Sequence, residues 1–437
     1  MAPSRARRNV ELTLLLGGFA LLFAYLPHGL VGDDFSRFDD VERLLHHGHL
    51  SDSPFSLVMP LVSSPLLLLG EVVRSPEWWA ARFNTVVVGA GALVAYLLLR
   101  GRVDNGLLRR IFLVLLFASF LTNRLRDYNA EVFTSTFVAV GLVLLVVKGR
   151  ALFGWAAIVI GVVNTPATIV GAAAIAVAET WRTRRLRHLL GPAAAAVLIM
   201  SEAWIRRGGP LSSGEEGYFG VKTVLTYSGQ RGFSYPLVLG VLSILVSFGR
   251  GLAFFVPGIF LGLARTTRQL LGSYRWLIGL MCLYVAALVL VYAKWWAWYG
   301  GLSWGPRFFV FAALPASIMI AVRIDSAGRS VLSDLVTLVV LALSSWVAVT
   351  GAVADLADLN ICTTNRLQHE AFCWYVPQYS SLWRPFVDFP ELTRSKALVA
   401  GWCLLVFAYL AAPLVAALVR AVRAVEPAPA WGSGWRL

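Results

Sequence analysis

Long apolar runs recur along this chain, and they constrain its fold more than any other feature. A helix needs about 20 mostly apolar residues to cross a bilayer, because the lipid core offers the backbone no hydrogen-bond partners. Of the 437 residues, 58% are hydrophobic and only 14% are charged, whereas about 25% are charged in an average soluble domain. The sequence therefore predicts an all-α, polytopic integral membrane protein. The composition excludes an ordinary soluble enzyme, a disordered chain and a small disulfide-stapled module.

The apolar runs divide into about 11–13 transmembrane or half-length helices. Pro166 interrupts the run at 151–180, because proline disfavours helix at the preceding residue, so two half-length helices are expected there. The short apolar segment 234–248 is expected to lie flat or to re-enter the membrane. The other runs predict spans at 12–31, 78–100, 107–122, 131–148, 188–205, 251–264, 274–293, 308–323, 330–351 and 396–423.

We expect a single transmembrane domain over residues 1–426 and a flexible cytoplasmic tail at 427–437. The chain contains no repeat of 20–50 residues. The first outer loop, 32–76, combines acidic and His-rich stretches with an apolar, proline-containing stretch, and this mixture predicts helices at the membrane interface. The other main outer loops are expected at 123–131, 206–250, 294–307 and 352–395.

The distribution of basic residues predicts the orientation. The net charge is +14, and the Arg clusters lie between alternate apolar runs. With the N-terminus inside, the cytoplasmic segments carry about +15 and the outer ones about −1, as the positive-inside rule requires. We therefore expect a multi-pass plasma-membrane protein with both termini in the cytoplasm. Nucleic acid is not an expected partner, because the basic residues do not gather on one polar segment.

Two adjacent carboxylates, Asp33 and Asp34, follow the first span directly. A charged group at membrane depth costs a few kcal/mol and tends to be functional. A carboxylate with reduced solvation is also a plausible general base. The alternative is a solvated loop that starts with turn-forming Gly and Asp residues.

A second acidic pair, Asp127 and Glu131, lies in the next outer loop. The two residues are four apart and share a face if a helix begins there. They could bind a metal or orient an acceptor hydroxyl. They could equally form an ion-paired helix cap with Arg124 and Arg126. The sequence leaves both possibilities open.

Two later outer segments combine arginine with glycine. Arg250 lies between Gly249 and Gly251, and Arg307 ends an aromatic stretch that contains paired glycines. Glycine lets a backbone approach a ligand closely, and the planar guanidinium recognises phosphate. These arginines are candidate phosphate ligands. The second segment also supplies a further cation and rings that could stack on a sugar: Lys294, Trp298, Tyr299 and Trp304.

Cysteine and histidine usage predicts one disulfide and no metal site. Cys362 and Cys373 lie eleven residues apart in the last outer loop, where a disulfide would contribute roughly 3 kcal/mol. Two free thiols are the alternative. The histidines at 46, 47 and 49 lack an acidic partner at a zinc-like spacing. The residues leave open whether a divalent cation is required.

The pattern of Gly32-Asp33-Asp34 with Leu44-Leu45 and Gly48 resembles the GT-C superfamily of membrane glycosyltransferases. The similarity is greatest to bacterial relatives of the protein mannosyltransferases and of the aminoarabinose transferase. Segments 247–263 and 298–315 resemble parts of actinobacterial members. The resemblance implies that Asp33 is the catalytic acidic residue, and Asp34 stands where such families carry Glu.

The resemblance implies an inverting glycosyltransferase of mannosyl or arabinofuranosyl type. Such enzymes take a sugar from a polyprenyl-phosphate donor and transfer it, on the outer face, to a hydroxyl of a cell-envelope glycan, lipid or protein. The alternative is a multi-span transporter or lipid flippase. Transporters place polar sites near the midplane, whereas here the charged residues concentrate at the outer ends of the runs.

Overall fold

The computed structural model describes residues 5–214, 222–225, 227–301, 303–354, 362, 364 and 367–425, and within these ranges it contains no β-strand. The all-α prediction is therefore confirmed. The α-helices, numbered in chain order, are α1 (Arg5–Tyr25), α2 (Asp33–His47), α3 (Val58–Gly70), α4 (Pro76–Leu99), α5 (Asn105–Phe117), α6 (Leu121–Arg124), α7 (Ala130–Leu142), α8 (Ala151–Asn164), α9 (Ile169–Thr183), α10 (Leu190–Arg207), α11 (Leu237–Val246), α12 (Leu252–Phe255), α13 (Arg265–Leu270), α14 (Arg275–Tyr292), α15 (Ala313–Asp325), α16 (Val331–Val353), α17 (Glu370–Tyr375) and α18 (Arg394–Val425).

Eight helical segments in the described ranges are long and apolar enough to cross a membrane. Three shorter apolar helices, α3, α8 and α11, accompany them. The chain is thus a polytopic membrane protein, as predicted. The spanning segments are Arg5–Tyr25, Pro76–Leu99, Ala130–Val147, Leu186–Arg207, Gly272–Tyr292, Arg307–Asp325, Val331–Val353 and Arg394–Ala424.

The prediction of one span over 251–264 is wrong. This segment contains the four-residue α12 and then a 3-10 helix, Pro257–Leu263. Pro257 lacks a backbone N–H, so an α-helix cannot continue through it without losing a hydrogen bond. The first span also ends at Tyr25, earlier than expected. The predicted tail at 427–437 lies outside the described residues.

The predicted break near Pro166 is present, between α8 and α9. Asn164, the last residue of α8, uses its side chain to join the two neighbouring helices. Its amide oxygen accepts a hydrogen bond from the backbone N–H of Met59 at 3.0 Å, and its amide nitrogen donates to the carbonyl of Ala130 at 3.0 Å. The broken helix thus fixes the start of α7 beside α3.

The first loop, 32–76, is held on α10 by an ionic network around the buried Arg206. Arg206 lies 2.8 Å from the carboxylate of Glu202 and 3.5 Å from that of Asp40. Glu202 also accepts a hydrogen bond from the backbone N–H of Leu57 at 2.9 Å. Asp40 is therefore buried. This network holds α2 at a fixed place in the bundle.

The arginine-rich segments that were predicted to lie inside meet at one end of the bundle. Glu11 is fully buried there and lies 2.6 Å from Arg109 and 3.7 Å from Arg110. Arg110 also pairs with Asp325 at 2.5 Å. We call this the basic end. The opposite end, formed by 26–32, 125–129 and 293–306, is called the loop end.

Candidate active site

The start of α2 brings the first acidic pair to the loop end. Gly32 precedes the helix with φ 55°, a left-handed conformation that suits glycine. Asp33 and Asp34 then occupy the first helical turn, where the helix dipole favours carboxylates. The backbone N–H of Gly29 donates to the carbonyl of Arg126 at 3.0 Å. The segments that follow α1 and α6 therefore lie side by side.

An ion pair between Asp33 and Arg307 is the centre of the site. The carboxylate of Asp33 lies 2.9 Å from Nη1 of Arg307. Glu131, at the start of α7, lies 3.9 Å from Nε of the same arginine. The side chains of Asp33 and Arg307 are 32% and 23% exposed, so a ligand can reach them. Three segments that are distant in sequence thus converge at this point.

The neighbouring Asp34 has a different environment. It is 4% exposed and accepts a hydrogen bond from the backbone N–H of Tyr128 at 3.1 Å. It also accepts a hydrogen bond from the backbone N–H of Val31 at 3.4 Å, and it lies 3.9 Å from Arg37. Asp127 pairs with Arg124 at 3.4 Å. Asp127 is therefore ion-paired with Arg124, which was one of the two possibilities for this acidic pair, whereas Glu131 faces Arg307.

The environments push the pKa values of these carboxyl groups in opposite directions. Burial alone would raise the pKa of Asp33, but the positive charges of Arg307 and Arg37 outweigh it and hold that pKa below its usual range. Burial and the nearby Asp127 raise the pKa of Asp34. Burial likewise raises the pKa of Asp127. Asp33 is thus the carboxylate that ionises most readily among these three.

Beside Asp33, two buried polar atoms of Glu131 and Arg307 lack a hydrogen-bond partner among the described residues. They are Oε2 of Glu131 and Nε of Arg307. Buried polar atoms are nearly always hydrogen-bonded in native proteins, so such atoms need an explanation. A polar ligand between the helix starts would satisfy both atoms.

Arg250 lies beneath the segment that leads to Arg307. It is 5% exposed, and its guanidinium donates to the carbonyls of Gly301 at 2.9 Å, Gly305 at 3.0 Å and Ser303. The structure therefore directs its donors to the backbone. Lys294 is half-buried at the end of α14 and takes no part in the ion pairs found in the described ranges.

The aromatic residues of the 294–307 segment lie inside the protein. Trp298 and Trp304 are 2% and 4% exposed, and Trp304 packs edge-to-face on Phe255. Tyr299 stacks on Trp374 with ring centroids 3.8 Å apart. The expectation that these rings face a sugar is not met in this structure, because they form the packed support of the turn.

An apolar cavity of about 130 Å³ lies between the site and the basic end. Val132 follows Glu131 on α7, and Val310 and Phe311 follow Arg307 by three and four residues; all three line the cavity. The lining continues along α4, α5 and α14 as far as Leu99 and Leu277. The apolar cavity therefore begins about one helical turn away from the charged groups, on the side of the basic end.

Cys362 and Cys373 are joined by a disulfide, with Cα atoms 5.9 Å apart. The disulfide closes the segment that contains Glu370, a residue that the sequence analysis did not select. Arg37, which lies 3.9 Å from Asp34, was also not predicted as a site residue.

Among the described residues, no group of three or more His, Cys, Asp and Glu side chains is arranged to hold a metal ion.

Solved structures resemble this fold. The crystal structure of ArnT from Cupriavidus metallidurans bound to undecaprenyl phosphate superimposes with a TM-score of 0.51 and 16% identity, over 93% of this chain and 77% of that one. The apo state of ArnT gives a TM-score of 0.48, 16% identity and coverage of 95% and 78%. No protein-family model and no curated protein matches the chain. The chain thus shares its fold with ArnT.

Proposed function

We propose that this protein is a glycosyltransferase that uses a polyprenyl-phosphate-linked sugar as donor. It transfers a mannosyl or arabinofuranosyl group, with inversion, to a hydroxyl of a cell-envelope glycan, lipid or protein on the outer face. The observation that carries the proposal is the partly exposed Asp33–Arg307 ion pair next to an apolar cavity. A base, a phosphate ligand and a space for hydrocarbon are the three parts that such a reaction needs.

The cavity supports a lipid donor. Its lining is apolar apart from Ser135 and Thr136. A cavity of ~150 Å³ in another protein holds benzene, so about 130 Å³ accommodates a short stretch of hydrocarbon. The first isoprene units of the tail would occupy this space, and the phosphate would then lie level with Arg307. The ArnT crystal structure that contains undecaprenyl phosphate has the same fold.

The chemistry follows from the two charged groups. The acceptor oxygen attacks C1 of the sugar while Asp33 takes the hydroxyl proton. The bond from C1 to the phosphate oxygen breaks, and polyprenyl phosphate leaves with the electron pair. Arg307 meets the negative charge that grows on this leaving group. Attack from the side opposite the phosphate inverts C1.

The remaining candidates act around this pair. Glu131, and Asp127 through Arg124, line the approach to Arg307 and orient the acceptor. Asp34 is buried beside them and holds the backbone of Tyr128. Arg250, Trp298, Tyr299 and Trp304 support the turn that carries Arg307. Lys294 adds positive charge at the loop end.

A transfer assay tests the proposal. The purified protein is reconstituted in liposomes with polyprenyl-phosphoryl mannose or polyprenyl-phosphoryl arabinose, labelled in the sugar. We expect one of the two labels to leave its lipid and appear on a membrane-fraction acceptor, with release of polyprenyl phosphate. Movement of the intact labelled lipid between leaflets, without loss of the sugar, would instead identify a flippase.

A further inference from the structure

We propose that residues 382–389, inside the predicted loop 352–395, insert into the bilayer beside α16. We call these residues the wedge. The partner of their exposed side chains is the hydrocarbon of the leaflet at the loop end. This interaction surface does not depend on the glycosyltransferase reaction. Three features of the wedge support it: its depth along a spanning helix, its exposed apolar side chains and its self-contained backbone hydrogen bonds.

Contacts with α16 place the wedge at membrane depth. Trp346 of α16 donates through Nε1 to the carbonyl of Leu382 at 3.1 Å, and its ring stacks on that of Phe386 with centroids 4.8 Å apart. Trp346 lies seven residues before the last residue of α16, which is about 10 Å along the helix axis. The helix ends at the loop end, where Arg126 donates to the carbonyl of Ala354.

The length of α16 shows what surrounds this level. The helix has 23 residues and is therefore about 34 Å long, only slightly longer than the hydrocarbon core of roughly 30 Å. It is also one of the spanning segments. Leu382 and Phe386 thus lie beside a part of α16 that is within the hydrocarbon.

The side chains at the tip of the wedge are apolar and exposed. Phe386, Val387 and Phe389 are 70%, 71% and 65% exposed. Exposed apolar patches mark contacts with another surface. This patch continues onto Leu343 and Val339, which are exposed on the same row of α16 as Trp346. Because α16 crosses the bilayer, that row faces lipid, and acyl chains are the partner that fits the continuous surface.

The backbone of the wedge pairs its own donors, as a segment in hydrocarbon must. An unpaired backbone group is costly in lipid, so non-helical backbone there needs internal partners. Each N–H from 382 to 388 has an acceptor within 380–388, and Pro385 has no N–H. The pairs are Leu382 to Oγ of Ser380 (3.4 Å), Trp383 and Arg384 to the carbonyl of Ser380 (3.0 and 2.8 Å), Phe386 to that of Trp383 (3.0 Å), and Val387 and Asp388 to that of Arg384 (2.7 and 2.9 Å).

The charged residues of the wedge lie at its base. Arg384 and Asp388 pair at 3.2 Å, and both line a small cleft with Thr350 and Ala354 at the end of α16. Thr350 is one helical turn closer to that end than Trp346 is. The ion pair is therefore nearer to the headgroups than the apolar tip is. A polar base and an apolar tip are typical of a segment that dips into one leaflet.

Contacts on the protein side hold the wedge in this position. Oγ of Ser380 donates to the carbonyl of Phe248 at 2.8 Å. Trp383 packs edge-to-face on Phe254 with ring centroids 5.8 Å apart, and Phe254 stacks on Phe248 at 5.2 Å. The wedge is thus a fixed part of the membrane-facing surface.

Spin-label accessibility tests the depth of the wedge. Phe386→Cys and Val387→Cys are made in a Cys282→Ala background, labelled with a nitroxide and reconstituted in liposomes. Oxygen enters hydrocarbon, whereas a nickel chelate stays in water, so we expect the ratio of their collision rates to be at least about tenfold higher at 386 and 387 than at Asp52→Cys. Asp52 is an exposed acid of the first loop, and Leu343→Cys is the matched lipid-facing control.

Two outcomes would overturn the proposal. Labels at 386 and 387 that meet the chelate as often as the label of Asp52→Cys would place the wedge in water. Labels shielded from both reagents would show that protein, such as a second copy of the chain, covers the surface.

The unmodified chain gives a second measurement that does not depend on how the variants fold. A phospholipid with a diazirine on its acyl chain is incorporated into the liposomes and activated by light. We expect covalent labelling of peptides that contain 386–389 as well as of α16. Labelling of α16 without labelling of 386–389 would contradict the insertion.

Discussion

At the residue scale, two adjacent aspartates differ because of what surrounds each one. Asp33 faces Arg307 and the solvent-accessible side of the site. Asp34 turns inward to the backbone of Tyr128. Sequence alone placed both at the first turn after the span. It could not separate them, because the groups that distinguish them arrive from positions about 100 and 270 residues further along the chain.

We expect Asp34→Asn to remove part of the pH dependence of stability. The pKa of Asp34 is raised in the folded state, so the folded protein binds more protons than the unfolded one between the two pKa values. The free energy of unfolding then falls as pH rises above about 4, the unfolded value. The asparagine variant lacks this group. Thermal unfolding in detergent between pH 5 and 8 should therefore show a smaller decline for the variant, and an equal decline would contradict this account.

Gly300→Ala should impair activity more than folding. The φ of 78° is unfavourable for alanine, and the added methyl group would press on the side chain of Arg307. We expect a stability loss of about 1 kcal/mol and a loss of transfer rate of at least about tenfold. Gly279→Ala is the control, because a Cβ there meets no atom within 4 Å. If both variants transferred sugar at the wild-type rate, the turn would not position Arg307.

At the scale of the elements, buried polar side chains hold the site helices in place. The network of Arg206 with Glu202 and Asp40 holds α2 on α10, and the amide of Asn164 holds α7 near α3. The residues of the first loop that bind to α10 lie more than 140 residues away from it in sequence, and no local pattern indicates such a pairing.

Arg206→Met should loosen the first loop, 32–76. It leaves the buried Asp40 and the partly buried Glu202 without their cation, and breaking a buried pair costs about 3–5 kcal/mol. We expect a lower melting temperature and rapid proteolysis within 48–57 in detergent. Arg187→Met, an exposed arginine, is the control. Wild-type resistance to protease in Arg206→Met would show that the network does not secure the loop.

At the scale of the whole molecule, hydropathy and charge predicted most of the architecture. Runs of about 20 apolar residues are long enough to cross a bilayer as a helix, so they predict spans well. The basic segments do gather at one end of the bundle. The segment 251–264 was predicted wrongly because its composition suits a span while Pro257 prevents a continuous helix. The residues of the ion pair were predicted from motifs. The role of Arg250 depends on its hydrogen bonds to carbonyls more than 50 residues away, which composition does not encode.

The orientation is tested by labelling introduced cysteines in intact cells with a membrane-impermeant maleimide. The native Cys282 and Cys403 are only partly exposed and buried, respectively, and therefore give little background. We expect Asp52→Cys to be labelled from outside and Arg187→Cys only after the cells are opened. The reverse pattern would place the Asp33–Arg307 site in the cytoplasm.

The most direct test of the central claim is the initial rate of sugar transfer by Asp33→Asn. If Asp33 accepts the acceptor proton beside Arg307, this variant should transfer labelled sugar at least about 100-fold more slowly. It should still elute as a folded protein and bind polyprenyl phosphate. A folded Asp33→Asn protein that transfers sugar at the wild-type rate would contradict the account.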